Sequence, residues 1–576
     1  MARRRALYTV GATITALSLA LSACSSDGGG PTADSPQPGQ PAVRAVDAPA
    51  PQAVRDWLSY DRPAEFEIIE SVVAVPTRDG TALNCRRSQP GEDGKPDPGK
   101  HPGMLLEFTP YNKDAASPMP DGYFAERGYD VLVCDVRGSG DSPGQYPSWF
   151  QPQEALDNYD VIEWLAAQPT SNGKIAQMGA SYGSITAYRA AALRPPHLTT
   201  IVPMVSPTDI YSEWIYPGGV PSRRNMSWWA NEAPDVDLQA HAGTAASFQD
   251  NPLFDQYWQQ VVTTNKLRDV QVPTLHIGGY FDIFKEGSFD AFAQRPDQTW
   301  LLTGPWTHNV GFAIPGVAGT ENAALPTGAV LQWFDRWLLD RPEAALPPSH
   351  VLSYESTSDA AVGQWEQFDQ WPPVAAQTRR LFPAADGTLT TAAPTTGESR
   401  YSVNPNDGPS VDATGTLPTD PSQNQAASEM SLPPNQHGRY GTVDPRTTFT
   451  LPAFEKETSV EGPVTLNLRA SSTAADTYFV SKLEVVTPDG KVLPIEAGYL
   501  RAQLREGLDH TVAVPVGKPV QYRIDLGNTH WKFEAGEKLR ITLSGGDAPK
   551  IASDAPAGII TVHHGADTYV DIPTTN

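Results

Sequence analysis

Lys174-Ile175-Ala176-Gln177-Met178-Gly179-Ala180-Ser181-Tyr182-Gly183 is the stretch that decides the architecture. Its first five residues form a short β-like run, and an alanine-rich helical run, Ile185 to Leu193, follows. A strand that turns abruptly into a helix through Gly-x-Ser-x-Gly holds its serine in a strained corner, with the hydroxyl above the sheet. Glycines flank the serine because a side chain at either place would collide with the tight backbone. Small-residue runs match this pattern by chance, so its meaning rests on what the chain supplies farther along.

Working outward, Ile68–Val75 and Leu83–Ser88 are β-like runs joined through Arg78-Asp79-Gly80, a hairpin turn. Met104–Phe108 and Tyr129–Cys134 read as strands with the short helix Tyr123–Arg127 between them, and Ala155–Ala167 has apolar residues at helical spacing. After Ser181 come the strands Thr200–Val205, Thr274–Ile277 and Trp300–Leu302 and the helix Ala323–Leu339. Strands alternating with helices predict a mostly parallel sheet covered on both faces. Between about Asp209 and Asp269 the alternation breaks for an insertion holding Trp214, Trp228, Trp229, Phe254, Tyr257 and Trp258. So long a connection is usually a functional lid, although any one aromatic there more often packs the insertion's own core. Beyond about Pro347 the period becomes two, with short strands from Val464–Ala470 to Ile559–His563 between turns, the pattern of an all-β sandwich or jelly roll. The polar stretch from Thr395 to Thr447 reads as surface loops.

A serine hydroxyl is a weak nucleophile until a base takes its proton, and the base needs a third group to fix its tautomer. In this kind of sheet the partners follow in the order serine, acid, histidine. Asp282 lies in Gly278-Gly279-Tyr280-Phe281-Asp282 after the strand Leu275–Ile277, and His308 in Gly304-Pro305-Trp306-Thr307-His308 after the strand Trp300–Thr303. Both stand where a parallel strand gives way to its loop, the edge on which open α/β sheets build their sites. With 11 histidines in the chain, a core or surface role is the default for each. Position lifts His308 out of that default, whereas His276, inside a strand, reads as structural. Asp282 alone could be a helix cap. The backbone N–H of Tyr182 supplies one donor for a developing oxyanion.

The chain has 576 residues, enough for roughly two or three domains. Its net charge of -24 argues against nucleic acid as a partner. Arg3, Arg4 and Arg5 precede an apolar run from Ala6 to Leu21, the layout of a secretory leader and shorter than the roughly 20 apolar residues that span a bilayer. Leu21-Ser22-Ala23-Cys24 resembles the bacterial lipobox, whose cysteine is lipidated. The expectation is a leader over 1–23 and a protein anchored by lipid on Cys24 to the outer face of a bacterial cell membrane, with no other membrane contact. A tether rich in Gly, Pro and Ser is expected over 24–60. Export permits a disulfide between Cys85 and Cys134, and spacing leaves open whether they are bonded or two buried thiols. No metal-ligand spacing is present, and no cofactor is expected.

Thr109-Pro110-Tyr111-Asn112-Lys113, Asp135-Val136-Arg137-Gly138-Ser139-Gly140, the Ser181 turn, the Asp282 and His308 motifs and Trp333-Phe334-Asp335-Arg336-Trp337-Leu338 together resemble the cocaine esterase / X-prolyl dipeptidyl-peptidase family. The resemblance covers nearly everything from about residue 65 onward. It implies an α/β-hydrolase domain over 61–346 with a helical cap at about 209–269, and a C-terminal jelly roll of galactose-binding-like form over 347–576. It implies a serine hydrolase acting on a small ester, amide or short peptide, with Ser181 as nucleophile, His308 as base, Asp282 as its orienter and the Tyr111 phenol as second oxyanion donor. Trp214, Trp228 and Trp229, with Phe281 and Trp306 from the motif loops, are the candidates for the acyl pocket. Relatives that recognise a free amine carry extra acids beside the catalytic aspartate. Here Ile283-Phe284-Lys285 follow it and Glu286 is the nearest acid, which favours apolar acyl groups over a dipeptidyl-peptidase substrate. A rival reading is an inert surface protein whose jelly roll binds carbohydrate.

Overall fold

The computed structural model describes residues 48–114, 119–222, 225–226, 238–308, 312–313, 325–359, 363–403, 443–547, 551 and 555–575. All of these lie in one compact unit, Pro41–Asn576. The expected leader with Cys24, and the candidates Trp228 and Trp229, fall outside the described residues.

The tether ends sooner than expected. Residues Gln52–Leu58 form a helix whose Val54, Trp57 and Leu58 are buried, and Trp57 Nε1 donates to the Ala345 carbonyl at 3.1 Å. Apolar residues at i, i+3 and i+4 make a stripe that packs rather than dangles.

The first sheet contains β1 (Glu67–Pro76), β2 (Ala82–Glu92), β3 (Lys95–Pro96), β4 (His101–Thr109), β5 (Asp130–Asp135), β6 (Ser171–Ala180), β7 (Leu198–Met204), β8 (Thr274–Gly279) and β9 (Thr299–Gly304). A small parallel pair follows, β10 (Phe312–Ala313) and β11 (Leu325–Pro326), and then β12 (Val351–Glu355) and β13 (Gln364–Phe368) return to the first sheet. The strand order is β1-β2-β5-β4-β6-β7-β8-β9-β12-β13, with β3 on β2. Pairing is parallel from β5 through β12 and antiparallel at both edges. Strands β4, β5 and β8 are buried along their whole length, as both-face coverage requires. From β4 the chain steps back to β5 and then outward to β6, so the crevice of the topological switch opens beyond the ends of β4 and β6. Cys85 on β2 faces Cys134 on β5 in register, and the two are joined as a disulfide.

The expected boundary at 346/347 falls before two strands that hydrogen-bond into the first sheet. β12 pairs with β9 and β13 with β12, because Val351–Glu355, wholly buried, needs cover on both faces. The insertion between β7 and β8 is helical, with helices at Leu238–Asp250 and Gln256–Val261.

The C-terminal part is a sandwich of two antiparallel sheets. In chain order its strands are β14 (Gln377–Pro383), β15 (Leu389–Thr390), β16 (Gly397–Val403), β17 (Arg446–Thr450), β18 (Thr458–Ser472), β19 (Tyr478–Val486), β20 (Val492–Arg501), β21 (Val520–Phe533), β22 (Lys538–Ser544), β23 (Gly558–His564) and β24 (Tyr569–Thr575). One sheet runs β15-β14-β24-β18-β23-β16 with β21 on β18, and the other β17-β22-β19-β20. Alternate residues, among them Val464, Leu466 and Leu468 on β18 and Leu539, Ile541 and Leu543 on β22, meet in the core between them. The sandwich joins the first sheet where the Ser356 N–H donates to the His530 carbonyl at 3.0 Å and the Lys532 N–H to the Ser356 carbonyl at 2.9 Å.

Candidate active site

Ser181 stands between β6 and the helix Tyr182–Ala192 with φ 55° and ψ -116°, a conformation that L residues rarely adopt. Such strain costs about 1–3 kcal/mol and persists only where the surroundings over-determine it. They do here. A Cβ on Gly179 would come within 2.4 Å of the Gly183 backbone, and one on Gly183 within 1.6 Å of Glu107 Oε1. The Ser181 N–H is tied to the Met204 carbonyl at 3.0 Å.

The loops after β8 and β9 then close on this turn. His308 Nε2 lies 2.9 Å from Ser181 Oγ, and His308 Nδ1 lies 2.8 Å from Asp282 Oδ1. The three residues expected to meet therefore form one hydrogen-bonded row. Asp282 is buried, and its Oδ2 has no hydrogen-bond partner among the described residues, so the carboxylate is directed wholly at the imidazole. That arrangement orients the tautomer that accepts at Nε2.

Two groups beside Ser181 have the chemistry of oxyanion donors. Tyr182 opens its helix, and a first-turn N–H has no preceding carbonyl to bond. The Tyr182 side chain is clamped by Glu154 Oε2 at 2.5 Å, Tyr146 Oη at 2.8 Å and the Phe150 N–H at 2.9 Å, which fixes that backbone. Tyr111, after β4, interacts through its phenol with the Ser181 side chain. Burial, and secondarily the Glu107 charge, push its pKa well above that of free tyrosine, so it stays a protonated donor. Its loop is pinned where the Lys113 N–H donates to Asp135 Oδ1 at 2.6 Å. A Cβ on Gly140 would fall 2.3 Å from that same carboxylate, which explains the glycine at the end of the second motif.

Sequence reasoning missed Glu107 and Glu154. Glu107 lies in β4 beneath the turn, takes the Ala180 N–H at 3.4 Å, and burial raises its pKa well above the ordinary glutamate value. The available signal was one acid within the buried apolar run Met104–Phe108. Glu154 carries no such signal, since it sits among the polar residues of a helix that reads as amphipathic.

The pocket candidates separate. The Trp214 ring packs on Phe284 at 5.5 Å, and Phe284 packs on the His308 ring at 5.1 Å, so one cap aromatic does reach the relay. Phe281 points the other way and belongs to the sandwich core. Trp306 is buried in the core on one face of the first sheet, against Trp365 at 6.0 Å. Both residues lie past the strand ends, Phe281 next to Asp282 and Trp306 two places before His308, where the loop backbone rather than strand alternation sets side-chain direction and turns each into a core. Most remaining cap aromatics pack on one another, as with Trp258 stacked on Phe248 at 5.1 Å. His276 Nδ1 is hydrogen-bonded with the Tyr188 hydroxyl at 2.7 Å, and burial lowers its pKa to about 3.

Glu286, four residues after Asp282, and Glu213, in the insertion, are already engaged. Glu286 accepts from the Asn528 N–H at 2.8 Å and Nδ2 at 2.7 Å, and Lys285 pairs with Glu496 of β20. Glu213 takes the N–H groups of Thr208, Asp209 and Gly287 at 2.9, 2.8 and 2.8 Å.

Comparison with known proteins agrees with this geometry. Residues 79–310 match the family model described as X-Pro dipeptidyl-peptidase (S15 family), and residues 344–575 match the X-Pro dipeptidyl-peptidase C-terminal non-catalytic domain. The chain is 26% identical over 551 residues to cocaine esterase of Rhodococcus sp. (strain MB1 Bresler), covering 85% of this chain and 93% of that protein. Two solved structures share the fold at 21% identity. An aminopeptidase from a marine sediment archaeon (Thaumarchaeota) superposes with a TM-score of 0.72, covering 90% of this chain and 98% of the other. A CocE/NonD family hydrolase from Staphylococcus aureus gives 0.70, covering 88% and 94%.

Proposed function

We propose that this serine hydrolase, whose residues 79–310 and 344–575 match the catalytic and C-terminal models of the X-Pro dipeptidyl-peptidase (S15) family, cleaves esters of apolar acids through an acyl-enzyme on Ser181. The observation that carries the reading is the 2.9 Å contact between His308 Nε2 and Ser181 Oγ, backed by Asp282. His308 takes the hydroxyl proton as Ser181 Oγ attacks the acyl carbon, and Asp282 stabilises the imidazolium. The Tyr182 N–H and the Tyr111 hydroxyl donate to the carbonyl oxygen as it becomes negative. His308 then protonates the departing alkoxide, and water, deprotonated by the same imidazole, releases the acid.

Two features support an apolar acyl group. Trp214 and Phe284 wall the approach to His308 with hydrocarbon. A dipeptidyl-peptidase must hold a protonated amine, which wants a free carboxylate, and Glu286 and Glu213 are occupied by backbone and amide donors. The family model's own description favours the second reading, removal of X-prolyl dipeptides. A fluorophosphonate should label the protein and fail to label Ser181→Ala; an unlabelled parent would leave an inert binding protein. Ala-Pro p-nitroanilide should gain nothing over its N-acetyl form, beside a panel of short apolar acyl esters. A preference for the free amine above ~100-fold in kcat/KM would turn the assignment to the dipeptidyl-peptidase.

The same proposal places the enzyme outside the cytoplasm, held by lipid on Cys24. Arg3 to Arg5, the apolar run and Leu21-Ser22-Ala23-Cys24 support this, as does a disulfide suited to an oxidising compartment. The intact protein should enter the detergent phase and Cys24→Ala should not; equal partitioning of the two would remove the anchor.

A further inference from the structure

Away from the relay, the seam between the first sheet and the sandwich gathers a second set of chemically capable side chains. Glu355 ends β12, Glu461 lies on β18 and His530 on β21, and all three are buried. One donor atom from each lies within 4.8 Å of the others. Glu366 on β13 adds a fourth, its Oε2 being 3.6 Å from His530 Nε2. We infer that Glu355, Glu461 and His530, with Glu366 beside them, form a binding site for a divalent first-row transition-metal ion that ties the sandwich to the first sheet.

The independent pointer to a ligand is the histidine. His530 is 1% exposed, yet among the described residues its Nε2 has no hydrogen-bond partner. That nitrogen faces Glu355 Oε1 at 3.9 Å and Glu366 Oε2 at 3.6 Å, too far for hydrogen bonds. An imidazole nitrogen aimed at carboxylates across a short gap is the geometry of a ligand set. Metal bonds to nitrogen and oxygen of about 2.0–2.2 Å allow donor atoms to stand up to about 4.4 Å apart, so closing this set needs only a few tenths of an ångström.

Charge gives the second argument. Three glutamates converge here, and among the described residues Lys532 is the only lysine or arginine in ion-pair range of them. Its Nζ is 4.0 Å from Glu355 Oε2 and is shared with Glu457 at 4.0 Å and Glu534 at 3.6 Å. Buried carboxylates are kept ionised by pairing or by coordinating metals, and one distant lysine is a poor match for three.

The surrounding hydrogen bonds have the form that orients metal ligands. His530 Nδ1 lies 2.8 Å from Ser353 Oγ, which in turn lies 2.7 Å from the Tyr280 hydroxyl. Gln364 Nε2 donates to Glu355 Oε2 at 3.0 Å, Ser459 Oγ donates to its other oxygen, and Thr575 Oγ1 donates to Glu461 Oε1 at 2.5 Å. One imidazole with carboxylates suits Zn2+ or Mn2+ and is a poor match for the all-oxygen shell of Ca2+. The ion's role is structural, since Tyr280 stands two residues before Asp282 and the seam supports that loop from behind.

The test uses the untagged full chain. Metal analysis after purification without chelator should find one equivalent per chain, and the dipicolinate-stripped protein should take up Zn2+ or Mn2+ by calorimetry with a rise in Tm. His530→Asn keeps an amide where Nδ1 meets Ser353 but removes the facing nitrogen, and should bind neither ion. Ser353→Ala should bind roughly 10–100-fold more weakly. Fluorophosphonate labelling of each variant reports a folded relay independently of metal. Absence of binding by the parent protein, or His530→Asn binding as tightly as the parent, overturns the proposal and leaves His530 as a packing residue of the seam.

Discussion

His308 and His530 occupy two regions built from the same parts: an imidazole, a serine hydroxyl and carboxylates. At the rim of the first sheet, His308 has hydrogen-bond partners on both nitrogens, Asp282 Oδ1 at 2.8 Å and Ser181 Oγ at 2.9 Å, and its side chain is 17% exposed. At the seam, His530 is sealed from solvent, its serine lies in the middle of β12, and its second nitrogen faces carboxylates without bonding them. Ser181 projects from a strained turn where a substrate can approach; Ser353 projects from a pleated strand where none can. Residue types therefore do not set the chemistry. Their order along the hydrogen-bonded row, and whether that row ends at a strand end or within a core, does.

The comparison can be broken most severely at Asp282. Asp282→Asn preserves shape but favours the wrong tautomer of His308, and kcat should fall by about 10⁴ with Tm nearly unchanged. A fall below tenfold would show that the row is not used in order. Tyr111→Phe sharpens the contrast from the oxyanion side, with an expected loss of about 10²–10³ in kcat and little change in KM. If the rate stays near the parent value, Tyr111 contributes nothing to the transition state.

A third histidine gives the smallest effect. His276 is buried neutral with its pKa lowered from 6.5 to about 3, so in that window the unfolded chain binds the proton that the folded one does not. Stability should therefore fall as pH drops through 6.5 toward 3, by at most about 1.4 kcal/mol per pH unit from this residue. His276→Asn should flatten that limb in denaturant titrations, and identical slopes would assign the acid loss to other groups.

What could be read from residue order follows the range of the forces involved. The turn at Ser181, the loops bearing Asp282 and His308, and the alternation of strand and helix are local patterns. Each rests on a strand whose apolar run is visible within a few residues. Phe281 and Trp306 sit one or two places from those same residues and were expected near the substrate, yet they point into two different cores. The spacing marks the loop but not the direction of each side chain on it. Strands β12 and β13 show the same limit, since a period of two does not say which sheet a strand will join. Glu107 becomes meaningful only when Gly183 is folded against it.

By itself the sequence determined the order of catalytic groups along the chain, because strand, turn and helix preferences act over neighbouring residues. Only tertiary structure decided which acids remain free, which aromatics face the relay, and that Glu355, Glu461 and His530 converge. Those outcomes depend on contacts between strands scores of residues apart, where burial and charge compensation, rather than spacing, determine what each side chain can do.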